Sequence, residues 1–180
     1  LRGVGIPKTV DNDLFGTDHT PGFPSAARDI ALSVQQAGRL ARDMQKVDQY
    51  AIFQAIGRDA GWLAAAASLA KHTEADAPHL VYVPEVAMNP TDFLRDVSQC
   101  IDEFGYAYVV CGEGAVWDDG TPVSASSTRD EFANVEFGAM GGASAALNLH
   151  RLIAEQTDYR GEFQIPESLP MCAADRVSSV

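Results

Sequence analysis

Tyr50-Ala51-Ile52-Phe53-Gln54-Ala55-Ile56-Gly57-Arg58-Asp59-Ala60-Gly61 decides the architecture. Seven mostly apolar residues, Tyr50–Ile56, have the length of a strand and run into a polar turn bracketed by glycines. The small-residue stretch Ala60–Lys71 follows, so a strand hands over directly to a helix able to pack tightly on a sheet. Upstream, Ile30, Val34, Ala37, Leu40, Ala41, Met44 and Val47 recur every three or four residues, which predicts an amphipathic helix of about five turns. Pro21, Gly22 and Pro24 punctuate its start.

The alternation continues outward. Val4–Ile6, Leu80–Val83 and Ala107–Cys111 read as further strands, with a weaker one at Glu162–Ile165. Pro90 opens a helix to about Phe104 with Thr91 as its cap, and Glu131–Gln156 carries another, broken near Gly138, Gly141 and Gly142. Polar Trp117–Arg129 reads as a loop or hairpin, and Trp62 reads as a packing residue. Strands separated by helices give βαβ units, hence an α/β fold, a three-layer sandwich around a mostly parallel sheet, expected to span residues 1–180 as a single domain. Ligands of such sheets gather beyond the carboxyl ends of the strands. The segments expected there are Pro7–Asp13, Gly57–Gly61, Pro84-Glu85 and Gly112–Gly114.

Composition narrows the function. The 180 residues are 46% hydrophobic and carry 13 Lys plus Arg against 25 Asp plus Glu, a net charge of −12. That balance argues against broad binding to nucleic acid or to an anionic membrane, so any phosphate is expected to bind locally. No run of about eighteen apolar residues occurs, so a membrane-spanning helix is not expected and a soluble, cytoplasmic protein is. Cys100, Cys111 and Cys172 form no paired framework and are expected reduced, and His19, His72, His79 and His150 fall in no zinc-binding spacing. The chain opens at Leu1 without an initiator Met or a secretory signal, and is expected to come from a longer protein.

Pro7-Lys8-Thr9-Val10-Asp11-Asn12-Asp13-Leu14 is the segment richest in chemistry. Pro7 ends a strand's hydrogen bonding and Asn12 tolerates tight backbone. Asp11 and Asp13 stand two residues apart and can face one ligand, where a carboxylate beside a hydroxyl can take its proton during phosphoryl transfer and Lys8 can hold phosphate oxygens. The same residues also suit an Asx-type turn in which both aspartates cap backbone amides.

This stretch, continued by Gly16-Thr17-Asp18-His19-Thr20-Pro21-Gly22-Phe23, resembles the catalytic stretch of the 6-phosphofructokinase family. Gly57-Arg58-Asp59-Ala60-Gly61-Trp62, Val83-Pro84-Glu85 and Gly112-Glu113-Gly114 match the family's further motifs in order. The resemblance implies that Asp11 is the base that deprotonates the 1-hydroxyl of fructose 6-phosphate. It implies that Thr9 and Asp13 help orient the sugar and the metal-bound phosphate, and that Arg58 contacts phosphate. The backbone at Ile56 and Gly57 would line the pocket, and Glu113 would accept hydrogen bonds from sugar hydroxyls. Glu85 is expected to satisfy backbone amides. ATP-dependent members typically carry glycine where Lys8 stands, whereas the pyrophosphate-dependent branch has lysine. Lys8 therefore implies pyrophosphate as donor, with Mg²⁺, a homo-oligomer and a place in glycolysis or its reverse.

Two departures accompany the match. Arg160 suits the family's basic position before the last strand, but Pro170 and Met171 stand where a Gln-Arg phosphate anchor is expected, with Arg176 as a possible substitute. One lost charge-assisted contact is worth roughly 1.5–3 kcal/mol, enough to keep sedoheptulose 7-phosphate open as the sugar. The family's donor loop and metal-binding aspartate lie upstream of its Pro7 motif, and the resemblance places both before Leu1. These 180 residues are therefore expected to supply no metal ligand of their own and not to turn over alone. The competing expectation is a non-catalytic sugar-phosphate-binding or regulatory subunit of the same ancestry.

Overall fold

Apolar side chains turn inward every three or four residues along Phe23–Met44, which forms helix α1 of the computed structural model; this describes residues 3–124, 144–167 and 169–172. The helix starts at the expected Pro21-Gly22-Pro24 punctuation, with Pro24 in the first turn, where its missing N–H costs nothing. Strand β1 (Tyr50–Ala55) is buried at all six positions. The alanine stretch then splits into a short helix α2 (Trp62–Ala66) and a 3₁₀ turn (Ala67–Ala70). The tighter turn satisfies a terminal carbonyl, with Lys71 N–H donating to the Ser68 carbonyl at 3.2 Å.

Strand β2 (Leu80–Tyr82) precedes helix α3 (Pro90–Phe104). Asn89, rather than Thr91, caps α3: its side-chain oxygen accepts from the Thr91 and Asp92 amides. Pro90 takes the first helical position, which leaves the residue before it as the cap. Strand β3 (Ala107–Gly112), helix α4 (Ala145–Gln156) and strand β4 (Gly161–Gln164) complete the order. Ser144 caps α4 by accepting from Leu147 N–H, and the expected breaks at Gly138, Gly141 and Gly142 lie outside the described residues.

The strands pair in the order β2-β3-β1-β4, all parallel. Along β1, Ala51, Phe53 and Ala55 join the core under α1 and α2, while Tyr50 and Ile52 join the core under α3 and α4. In β3, Tyr108 and Val110 take the first side, and Ala107, Val109 and Cys111 the second. This period-two alternation between two apolar faces is what makes three layers. Among the described residues no helix is long and apolar enough to cross a membrane.

Val4–Ile6 does not join the sheet. Val4 is 92% and Ile6 81% exposed. Two apolar side chains around Gly5 define no buried face, and Pro7 removes the next ladder donor. Trp62 is likewise no core residue, being 56% exposed on α2.

Candidate active site

Parallel pairing brings the carboxyl ends of β1, β2 and β3 to one rim, so the turns that follow them meet there. Glu113, just past β3, accepts through Oε1 from the Gly57 amide at 3.3 Å. Glu85, past β2, accepts through Oε1 from the Gly61 amide at 2.7 Å, the backbone-satisfying role expected of it. Gly57 has φ 122°, in the region that side chains with a Cβ rarely adopt. A Cβ on Gly114 would stand 1.7 Å from the Arg58 carbonyl oxygen, so glycine is what lets the β3 turn touch the β1 turn. The 57–61 turn is thus tied at each end by a carboxylate from a different strand, with Arg58 and Asp59 exposed between the ties.

The 7–20 segment is folded on itself by side chains other than its aspartates. Asn12 is buried with φ 60°; its Oδ1 accepts from Thr20 N–H at 2.9 Å and its Nδ2 donates to the Asp18 carbonyl at 3.2 Å. Thr9 Oγ1 accepts from the Asp11 amide at 3.1 Å. Thr9 and Asn12 therefore do the turn chemistry that the sequence left open for Asp11 and Asp13.

Asp11 is half-buried, and its carboxyl is pushed above the usual aspartate range, first by burial and next by Asp13. Lys8 and Arg58 pull it back, and Asp59 adds to the rise. Burial also raises Glu113, opposed by the Gly57 hydrogen bond, with Asp11 raising it further and Arg58 lowering it. Asp11, Arg58 and Glu113 thus act on one another across three separate segments, with exposed Lys8 and Asp13 flanking them and Ile56 and Gly57 beside them. A carboxylate held reluctant to ionise near two cations can accept a proton while anionic oxygens are bound next to it. Sequence reasoning missed Asp59 as part of this field; its place next to Arg58 was the available signal.

Arg160 is not brought to this group. It precedes β4, whose first residue pairs with Tyr50 at the start of β1, and its amide donates to Gln49 Oε1 at 2.9 Å. The six residues of β1, at about 3.3 Å each, separate it from the rim that carries Arg58. The other residues expected at the site follow strands or lie in the 7–20 segment; Arg160 alone stands before one. Pro170 lies in a 3₁₀ turn, Leu169–Cys172, that packs against α1, and Arg176 is outside the described residues. Among the described residues no group of three or more His, Cys, Asp or Glu side chains could hold a metal ion.

Residues 1–167 match the family described as phosphofructokinase. The chain is 36% identical over 175 residues to the pyrophosphate--fructose 6-phosphate 1-phosphotransferase of Xanthomonas campestris pv. campestris, covering 96% of this chain and 41% of that protein. It is 41% identical over 114 residues to the sulfofructose kinase of Alkalicoccus urumqiensis, covering 63% of this chain and 30% of that one. Among solved structures it is similar to the pyrophosphate-dependent phosphofructokinase from Marinobacter aquaeolei, with a TM-score of 0.78 and 31% identity over 96% of this chain and 39% of that chain. The chain therefore spans about two fifths of the length of the relatives it matches along most of its length.

Proposed function

The chain belongs to the phosphofructokinase family, and from that premise we propose that it forms the sugar-phosphate side of an enzyme transferring a phosphoryl group from pyrophosphate to the 1-hydroxyl of fructose 6-phosphate. The observation that carries the reading is the half-buried Asp11 carboxyl within the electrostatic reach of Lys8 on its own loop and of Arg58 on the turn after β1. In the reaction proposed, Asp11 takes the 1-hydroxyl proton as the sugar oxygen bonds to phosphorus. The bond from that phosphorus to the bridging oxygen breaks, releasing inorganic phosphate and fructose 1,6-bisphosphate. Lys8 stabilises charge developing on the departing phosphate, and Arg58 holds a phosphate by its guanidinium. Glu113, with one oxygen on Gly57 N–H, offers the other to sugar hydroxyls, while Thr9 and Asp13 orient the reactants and the backbone at Ile56 and Gly57 lines the pocket.

Magnesium belongs to the proposal through the donor. It keeps waters and phosphate oxygens as ligands, and Thr9 and Asp13 help orient the phosphate that carries it rather than ligating it themselves. When bound it would neutralise phosphate charge. A homo-oligomer in the cytoplasm, serving glycolysis or its reverse, completes the reading. The 180 residues alone should show no sustained turnover in a coupled assay.

The test is Asp11→Ala in the full-length protein. Turnover should fall by the roughly 10²–10⁴-fold typical of a lost general base, with fructose 6-phosphate affinity largely retained. Equal turnover in variant and parent overturns the reading. The assay should also offer sedoheptulose 7-phosphate, ATP and sulfofructose, the last because one relative is named a sulfofructose kinase. A second reading, a non-catalytic sugar-phosphate-binding subunit, draws on the distance of Arg160 from the site and on Pro170-Met171 in place of Gln-Arg. Binding of the sugar phosphate with no turnover under any donor would establish it.

A further inference from the structure

We propose that Glu85 is a positioning residue for substrate binding: from the tip of β2 it holds the far end of the 57–61 turn, and through that turn it fixes where Arg58 meets phosphate. The inference rests on the role proposed above for Arg58.

The geometry is specific to the two ends of a short turn. Arg58 is one residue past Gly57, whose amide donates to Glu113, and three residues before Gly61, whose amide donates to Glu85 at 2.7 Å. Both Glu85 oxygens crowd Gly61: Oε1 takes its N–H, and Oε2 would stand 2.6 Å from a Cβ built there. Val83 closes the same side, with its Cβ 2.5 Å from that position. Gly61 is buried, so its amide has no ready exchange of Glu85 for water. On the opposite side the Arg58 carbonyl rests against Gly114. The Arg58 backbone is thereby fixed from two directions, by contacts that originate on β3 and on β2. β2 has no direct pairing with β1, since β3 lies between them. The chain past β2 crosses the tip of β3, with Pro84 against Gly112, and so brings Glu85 within hydrogen-bond reach of a turn that carries a substrate contact. Preorganisation of this kind acts on affinity, because a turn already held in its bound position loses less freedom when the phosphate arrives.

Three variants of the full-length protein separate hydrogen bonding from charge. Glu85→Gln keeps an acceptor oxygen at the same reach and should bind fructose 6-phosphate as the parent does, within about threefold by calorimetry. Glu85→Asp keeps the charge but withdraws it by one methylene, and should weaken binding about tenfold, as should Glu85→Ala, with kcat at saturating substrate changed far less. In an Arg58→Ala background the Asp substitution should have no further effect on affinity, because the side chain it positions is gone. Retained affinity in Glu85→Asp with loss in Glu85→Gln, or an undiminished effect in the Arg58→Ala background, overturns the proposal. A parent that binds the sugar phosphate but does not turn it over sinks the phosphotransfer reading and leaves this one testable by affinity. A parent with normal turnover whose Glu85→Asp variant binds normally sinks this proposal alone, and a parent that binds no sugar phosphate sinks both.

Discussion

Asp11 sits between opposed influences: burial and Asp13 disfavour its charged form, while Lys8 and Arg58 favour it. A base must be ionised to accept a proton, so the acid limb of kcat/KM should lie above the ordinary aspartate value of 3.8. Removing the Lys8 charge should move that limb to still higher pH, because one of the two cations favouring ionisation is lost. A limb that stays put or moves down in Lys8→Gly would show that the ammonium does not act on Asp11. The same substitution should lower turnover with pyrophosphate about ten- to a hundredfold, the value of one contact to a charged group. An unchanged rate with that donor would refute the donor assignment.

At the scale of elements, the close approach of two turns makes its own prediction. Gly114→Ala places a methyl 1.7 Å from the Arg58 carbonyl oxygen, so the β1 and β3 turns must part. The expected cost is about 1–3 kcal/mol, seen as a melting temperature lower by several degrees and as weaker fructose 6-phosphate binding. A variant that melts with its parent would mean that the turns do not touch. The elements themselves were largely legible where local signals agreed. Tyr50–Ala55 and Ala107–Gly112 are apolar on both faces, as buried parallel strands must be, and Pro90 and Gly105 mark both ends of α3. Val4–Ile6 looked like a strand because propensity is local, whereas pairing depends on a neighbour the sequence does not reveal. The Asp11 group was legible through its family pattern. That Glu85 satisfies a backbone amide was legible too, but that the amide is Gly61's, and that Glu113 ties Gly57, was not, since both follow from strand order, which no short window of residues encodes.

The whole molecule should also respond to acid through His79. Its ring stacks on Phe104 at 4.9 Å and meets Tyr106 edge-on at 4.6 Å, while its Nδ1 accepts from the Tyr108 amide at 2.9 Å. Burial lowers its pKa from 6.5 to about 4. Between those values the unfolded chain takes up a proton that the folded one refuses. Stability from this group is therefore complete above pH 6.5 and lost as pH falls toward 4, amounting to about 1–2 kcal/mol after allowance for partial solvation. Thermal melts of parent and His79→Gln between pH 7 and 4.5 should converge in acid, and parallel curves would refute the account. His79 lies just before β2, as Arg160 lies just before β4, at the sheet end away from Asp11. Because all four strands run one way, the molecule has a working end and a ballast end. Under the proposed function, preferences for sugar or donor belong to the turns of the first, while the connections of the second stand at the opposite end of the sheet from Asp11.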